Sequence, residues 1–195
     1  MPAVTPSPQV LEGRYVRLSP QVESDLPELY EAIAHPAVFA GGYGGGPAGL
    51  PEDYPAFVEF AHRYYAPRNR VFAVRLVTGE LVGTTTLGDF DEAKEWAHIG
   101  WTAYSPTVWG GPVNVEAKLL LLEHAFAHGF GRVKLQADAL NDRSRAAILK
   151  LGATFEGIRR RDQKRADGSW RDAAIFSITI DDWPAVRAGL LARLP

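Results

Sequence analysis

The sequence predicts one α+β domain: a mixed, mostly antiparallel central sheet flanked by helices, with a single parallel βαβ crossover. Three observations carry this reading. Apolar runs on either side of Thr78-Gly79-Glu80 mark a β-hairpin. A helical apolar repeat separates the strand-like runs 96–104 and 133–139, the pattern of a βαβ unit. The order along the chain is strand, two helices, three strands, helix, strand, helix, strands, with no internal repeat.

Taken in order, residues 1–10 (MPAVTPSPQV) hold three prolines and little to bury, so a loose tail is expected before a single domain over 11–195. Residues 14–19 alternate as a short strand. Ser24-Asp25 offers an N-cap ahead of Pro27, with Leu26, Leu29 and Ile33 at helical spacing. Residues 40–49 contain six glycines in ten positions, which excludes regular structure and predicts a flexible loop around Tyr43. A second helix is expected over 51–65, ending before Pro67. The hairpin strands are 71–77 and 81–87, and a charged turn, 89–95, leads to the strand 96–104. Leu119, Leu122, Ala125 and Phe126 form the inward set of a long helix over 115–128. A strand at 133–139 follows, then a helix opened by Asn141-Asp142 and closed by Gly152. Strands near 154–160 and 171–180 join through Asp167-Gly168, and Asp181-Asp182 caps a terminal helix.

Composition removes several function classes. The chain has 195 residues, 46% apolar and 23% charged, enough for a core and too much apolar content for disorder. Its net charge of −2 argues against dedicated nucleic-acid binding. Cysteine is absent, which excludes disulfides, thiolate nucleophiles and Cys-ligated metals. No apolar run approaches the ~18–20 residues of a membrane span, and no secretory segment opens the sequence, so a cytoplasmic protein without membrane contact is expected. The charge is uneven. Residues 1–62 hold two basic against eight acidic residues, and residues 141–171 hold nine basic against four acidic. Such halves would attract a cationic ligand and a phosphate respectively, or would simply be two solvated faces.

The segment 101–118 carries the most chemistry. A strand ends, a turn containing Gly110-Gly111 follows, and a helix begins. Turn N–H groups and a helix N-terminus make an anion site suited to a diphosphate. The same residues also serve a plain tight turn with Pro112 at the first helical position. On the preceding strand, strict alternation puts Trp96, His98, Gly100, Thr102 and Tyr104 on one face and Ala97, Ile99, Trp101 and Ala103 on the other. His98 then sits among small or polar neighbours with a reference pKa of ~6.5, fit for a general base near neutrality. It equally suits a hydrogen-bonded strand histidine without chemistry.

With Trp109-Gly110 and Glu116-Ala117, then Asn141-Asp142-Arg143-Ser144, then the run from Lys150 through Gly152 and Phe155 to Gly157, and finally Asp167-Gly168-Ser169-Trp170-Arg171-Asp172, the chain resembles the GNAT acetyltransferases. It is most similar to the RimJ/RimL-type branch, which acetylates ribosomal-protein N-termini, and the resemblance runs over residues 11–183. It implies a GNAT-type sheet whose central strands splay apart around acetyl-coenzyme A as co-substrate. By that likeness pantetheine pairs with the backbone of Trp101, Thr102 and Ala103, and the diphosphate lies on Trp109, Gly110, Gly111, Val113 and Asn114. Asn141 takes the position that hydrogen-bonds pantetheine, Ser144 the one near the thiol, and Arg145 is placed to meet a cofactor phosphate. Asn141 also reads as an ordinary N-cap, and Ser144 as a first-turn residue bonding its own backbone. A Glu stands at the His98 position in several members. The family's phosphate loop departs here at Thr107 and Pro112, and Pro112 offers no N–H, so weaker or rearranged cofactor binding is expected.

The resulting expectation is an acetyl-coenzyme A-dependent N-acetyltransferase using direct transfer to a primary amine, a protein or peptide N-terminus by the resemblance. His98 is the candidate base, and Ser144 the group that protonates or hydrogen-bonds the departing thiolate. Asp138, Glu156 and a water chain are rivals for the base. Tyr43 and the acidic first 62 residues form the acceptor side. Alternatives are acetylation of a small amine, a non-catalytic acyl-coenzyme A sensor, and RNA contact through residues 159–165. No metal is expected, since His124 and His128, four apart, lack an evident third ligand. No G-x-S-x-G occurs, so a serine hydrolase is set aside. Homodimerisation is implied by the family alone.

Overall fold

The computed structural model describes residues 2–65 and 70–195. Pro67, expected to stop the second helix, and Met1 of the expected tail lie outside them. One eight-stranded sheet runs in the order β1-β2-β3-β4-β5-β6-β8-β7. Its strands are β1 (Leu11–Glu12), β2 (Val16–Pro20), β3 (Arg70–Leu76), β4 (Leu81–Asp91), β5 (Trp96–Tyr104), β6 (Arg132–Asp138), β7 (Thr154–Lys164) and β8 (Trp170–Thr179). The helices are α1 (Leu26–Ile33), α2 (Pro36–Ala40), α3 (Tyr54–Tyr64), α4 (Pro112–Ala127), α5 (Asp142–Lys150) and α6 (Trp183–Ala192). Among the described residues every strand pair is antiparallel except β5–β6, the predicted crossover.

Alternation along the strands sorts the core to the two faces of the sheet. Phe72 and Val74 of β3 pack with Leu121, Leu122 and Phe126 of α4 and Leu190 of α6. Ala73 between them faces Leu29, Ile33, Phe39, Phe57 and Phe60 of α1–α3 on the opposite side. The α4 helix begins three residues earlier than the apolar repeat suggests, with Pro112 at its first position, where a missing N–H costs the helix nothing.

The N-terminal tail and the glycine-rich loop differ from the sequence reading. Residues 2–10 carry no helix or strand, yet they are not loose. Ala3 is buried, Val4 N–H donates to His128 O at 2.9 Å, Thr5 N–H to Glu92 Oε1 at 2.7 Å, and Arg70 Nε to Pro6 O at 2.7 Å. The glycine-rich loop is also built rather than flexible, forming short 3-10 turns at Tyr43–Gly45 and Pro47–Gly49. Gly42, Gly44, Gly45 and Gly46 all have positive φ, so the glycines encode a specific path. Aromatic contacts of Tyr43 with Phe39, Phe60 and Tyr64 hold it down.

Strict alternation fails on β5, and this failure makes the cleft. Thr84 pairs Ala103 and Thr86 pairs Gly100, so β5 carries one extra residue there. Trp101, at φ 49°, forms the bulge, which bends the strand and brings Trp101 to the same side as His98. The turn expected at 89–95 starts later, because β4 continues to Asp91 through a second irregularity at Asp89, φ 48°. Parallel pairing of β5 with β6 covers only Trp96–Arg132, Ala97–Val133 and His98–Lys134. Beyond them the strands part.

Glu116 shows how α4 is fixed to the sheet edge. Its buried carboxylate accepts N–H bonds from Arg14, Tyr15 and Val16 at 2.7–2.8 Å, and Gly13 leaves it room. Glu116→Ala strands these donors, with a charge-assisted bond worth ~1.5–3 kcal/mol. We expect a loss of at least about 3 kcal/mol in urea unfolding at unchanged m-value.

Candidate active site

The parting strands enclose a cavity of about 350 Å³ that passes through the sheet. On one side it is bounded by α4 and α5, through Asn114, Lys118, Ser144 and Ile148. On the other lie Gly42, Tyr43, Tyr64 and the β7–β8 hairpin residues Gln163 and Arg171. The strands supply the walls, including His98, Trp101, Thr102 and Ala103 from β5 and Gln136 from β6.

The phosphate end is the start of α4. Gly110, at φ 79°, has open space where a side chain would stand. Gly111 is the N-cap, and no side chain caps the helix among the described residues. The first turn of α4, with Asn114 in the cleft lining, therefore brings the positive end of the helix dipole to the cleft mouth. Trp109 donates its indole N–H to Tyr104 O at 3.0 Å and carries the Arg143 guanidinium 3.6 Å above its ring. This mouth suits a diphosphate on physical grounds, and Pro112 removes only the donor that a helix start can spare.

The expected residues divide. His98, Ser144, Trp101, Thr102, Ala103, Trp109, Gly110, Asn114, Asn141 and Tyr43 all line the one cleft. Gly111, Val113 and Arg145 do not. Gly111 N–H is turned to Val108 O, and the Val113 side chain is in the core. Arg145 folds back on Ala139 O and Asp142, leaving Arg143 as the guanidinium at the mouth. Asn141 works as an N-cap, accepting from Ser144 N–H at 3.0 Å, while its amide donates to Gly41 O of the glycine loop. Tyr43 presents ring rather than hydroxyl, because its OH is bonded to Tyr65 OH, and burial pushes its phenol well up.

His98 is buried, 3% exposed. Its Nδ1 lies 2.8 Å from Asp89 Oδ2, and its Nε2 has no hydrogen-bond partner among the described residues. A Cβ at position 100 would stand 2.7 Å from Nε2, so only glycine fits beside that buried nitrogen. Burial pushes the imidazole down to about 4, so the expected value near 6.5 is not kept and the ring is neutral at pH 7. The hydrogen bond from His98, helped by Lys134, holds the Asp89 carboxyl below its ordinary range.

The rival bases are otherwise engaged. Asp138 holds Arg165 at 2.5 Å and accepts from Leu140 N–H, which ties the β7–β8 hairpin to the end of β6. Glu156 is bonded to Ser177 and Arg132, outside the cleft lining. Arg159 and Arg161 of the basic stretch are occupied by Asp162 and the Trp170 ring.

Lys118 and Asp89 escaped the sequence reading. Lys118 looks like any helix lysine, yet its Nζ is buried between the Thr85 and Thr102 hydroxyls at 3.0 and 2.7 Å, and burial lowers it to about 7. Its place two turns into an almost wholly buried helix was the available signal. Asp89 was hidden by the bulge that carries it.

Comparison with known proteins places the chain. The family model described as "Acetyltransferase (GNAT) domain" matches residues 16–154. A candidate acetyltransferase from T. thermophilus superposes with a TM-score of 0.88 at 31% identity, covering 98% of this chain and 100% of that one. A GCN5-related N-acetyltransferase from Brucella melitensis gives 0.89 at 27% identity, covering 100% and 89%. Mycobacterium smegmatis RimJ in complex with CoA-disulfide gives 0.73 at 23% identity over 95% and 94%, a likeness of fold alone. A search of the curated proteins finds no match. No helix among the described residues is long and apolar enough to cross a membrane.

The buried histidine has a consequence for stability. His98 titrates near 4 when folded and near its ordinary 6.5 when unfolded, so between these values the unfolded chain binds the extra proton. Stability is complete above pH 6.5 and falls as the pH drops toward 4. Urea unfolding should show about 2 kcal/mol lost between pH 7 and pH 5 on this account. His98→Gln should shrink the pH dependence by that amount, and an unchanged slope would refute the assignment.

Proposed function

The chain belongs to the GNAT acetyltransferase family, and from that membership we propose that it transfers an acetyl group from acetyl-coenzyme A directly to a primary amine, the N-terminal α-amine of a protein or peptide as in the RimJ/RimL-type branch. One observation carries the reading. The opening beyond the His98–Lys134 pair joins an uncapped helix N-terminus on one side to an unpartnered imidazole nitrogen within, and to an aromatic loop on the other side.

The residues fit the co-substrate. Asn114, Arg143 and the first-turn N–H groups of α4 would hold the diphosphate, and the free edge of β5 over Trp101–Ala103 would pair with pantetheine. When bound, acetyl-coenzyme A supplies the thioester carbon to which the amine bonds as the C–S bond breaks. His98, neutral at pH 7, takes on Nε2 the proton that the amine nitrogen gives up as it becomes positively charged. Ser144, held by the Asn141 cap at the start of α5, hydrogen-bonds the departing sulfur or passes it a proton that it regains from solvent. Gly42, Tyr43 and Tyr64 form the side by which the acceptor enters. The absence of cysteine accords with direct transfer.

Thiol release measured with a peptide library beside small amines tests this. Turnover on peptides supports it, turnover on small amines alone moves the acceptor class, and coenzyme A binding without turnover on any amine leaves a sensor. His98→Gln should lower kcat about tenfold or more at pH 7 with little change in coenzyme A affinity by calorimetry. Arg143→Ala should weaken coenzyme A binding about tenfold, the size of one charge-assisted contact.

A further inference from the structure

Only one nitrogen of a neutral imidazole carries a proton, and the partner of the other decides which. His98 can act on the cleft through Nε2 only if its proton sits on Nδ1. Asp89 is placed to secure this. Gly88 is the strand partner of His98, so in a regular strand the next residue, Asp89, would point to the opposite face. The irregularity between Gly88 and Asp91, with Asp89 at φ 48°, turns its carboxylate back beneath the ring. Asp is among the few residues that take this backbone conformation readily. Lys134, the partner of His98 on the other flanking strand, brings Nζ to 3.6 Å from the same carboxylate oxygen. Among the described residues the other cation acting on the ring is Lys118, whose ammonium is spent on two threonine hydroxyls.

We propose that Asp89, held in place by Lys134, is a positioning residue that fixes His98 as the Nδ1–H tautomer, aims the Nε2 lone pair toward the cleft, and by its own carboxylate supplies the counter-charge for the imidazolium formed during transfer. This rests on the acetyl-transfer reading above. In the step, the amine nitrogen bonds to the acetyl carbon, the C–S bond breaks with its electron pair leaving on sulfur, and the amine proton passes to Nε2. The thiolate takes up a proton through Ser144, which regains one from solvent, and His98 returns its own to solvent, so the sum is amide plus thiol. Asp89 stays a carboxylate throughout. Half of its side chain is open to solvent, so it can be replaced without opening the core.

The decisive measurement is the protonation of the His98 ring nitrogens, read by long-range proton–nitrogen correlation in histidine-labelled protein at pH 7. The unmodified protein should show a protonated Nδ1 and a bare Nε2. Asp89→Asn and Asp89→Gly, both tolerant of the left-handed backbone, should populate the opposite tautomer. They should also lower kcat at least about tenfold with KM for acetyl-coenzyme A unchanged. Added to His98→Gln, either should cause no further loss. A protonated Nε2 in the unmodified protein, or Asp89 variants that keep both tautomer and kcat, overturns the proposal. If no amine is acetylated by the unmodified protein, the acetyl-transfer reading fails by itself, and the tautomer spectra still decide the role of Asp89.

Discussion

Backbone that lacks a strand to pair with is the constraint from which the rest of this structure follows. Past His98 and Lys134 the facing edges of β5 and β6 no longer bond to each other, although both run on for several residues. Peptide groups cannot be left in a protein interior without partners, so such a gap must be wet or filled by something with its own donors and acceptors. A pantetheine arm, with two amides along an extended chain, has that character. The Trp101 bulge opens the gap, α4 begins at its mouth, and β6 is held from the far side by β8 so that it cannot swing back.

Much of this was legible in the sequence wherever one local rule acted alone. The Thr78-Gly79-Glu80 hairpin, the crossover from β5 to β6 and the Asn141 cap each follow from turn chemistry or periodicity, and each appears in the structure. Legibility failed where two rules competed. Alternation placed Trp101 away from His98, but an inserted residue reversed the phase at that point. Asp89 lies in a charged stretch that reads as a turn, although it belongs to a strand whose irregularity turns it to His98. The glycines of residues 41–49 read as freedom, because sequence shows what glycine permits and not the aromatic floor that selects one path.

The charge asymmetry is likewise spent more locally than its totals suggest. Asp25 and Glu28 in the acidic first third are bridged by Arg75 at 2.8 Å each, and Glu23 is paired with His62. Among the basic residues of the later segment, Arg165 is fixed by Asp138, while Arg143 stays at the cleft mouth over Trp109. Net charge by segment pointed to the end of the molecule where Arg143 meets the cleft. It did not identify which guanidinium would meet it.

The bare start of α4 carries one more implication. Eleven of the sixteen residues of that helix are buried, so it is the beam on which one face of the sheet rests. A beam with an open end would be completed by an anion docked there, a structural gain apart from any chemistry. By mass action the folded molecule would then gain stability in step with the concentration of that ligand.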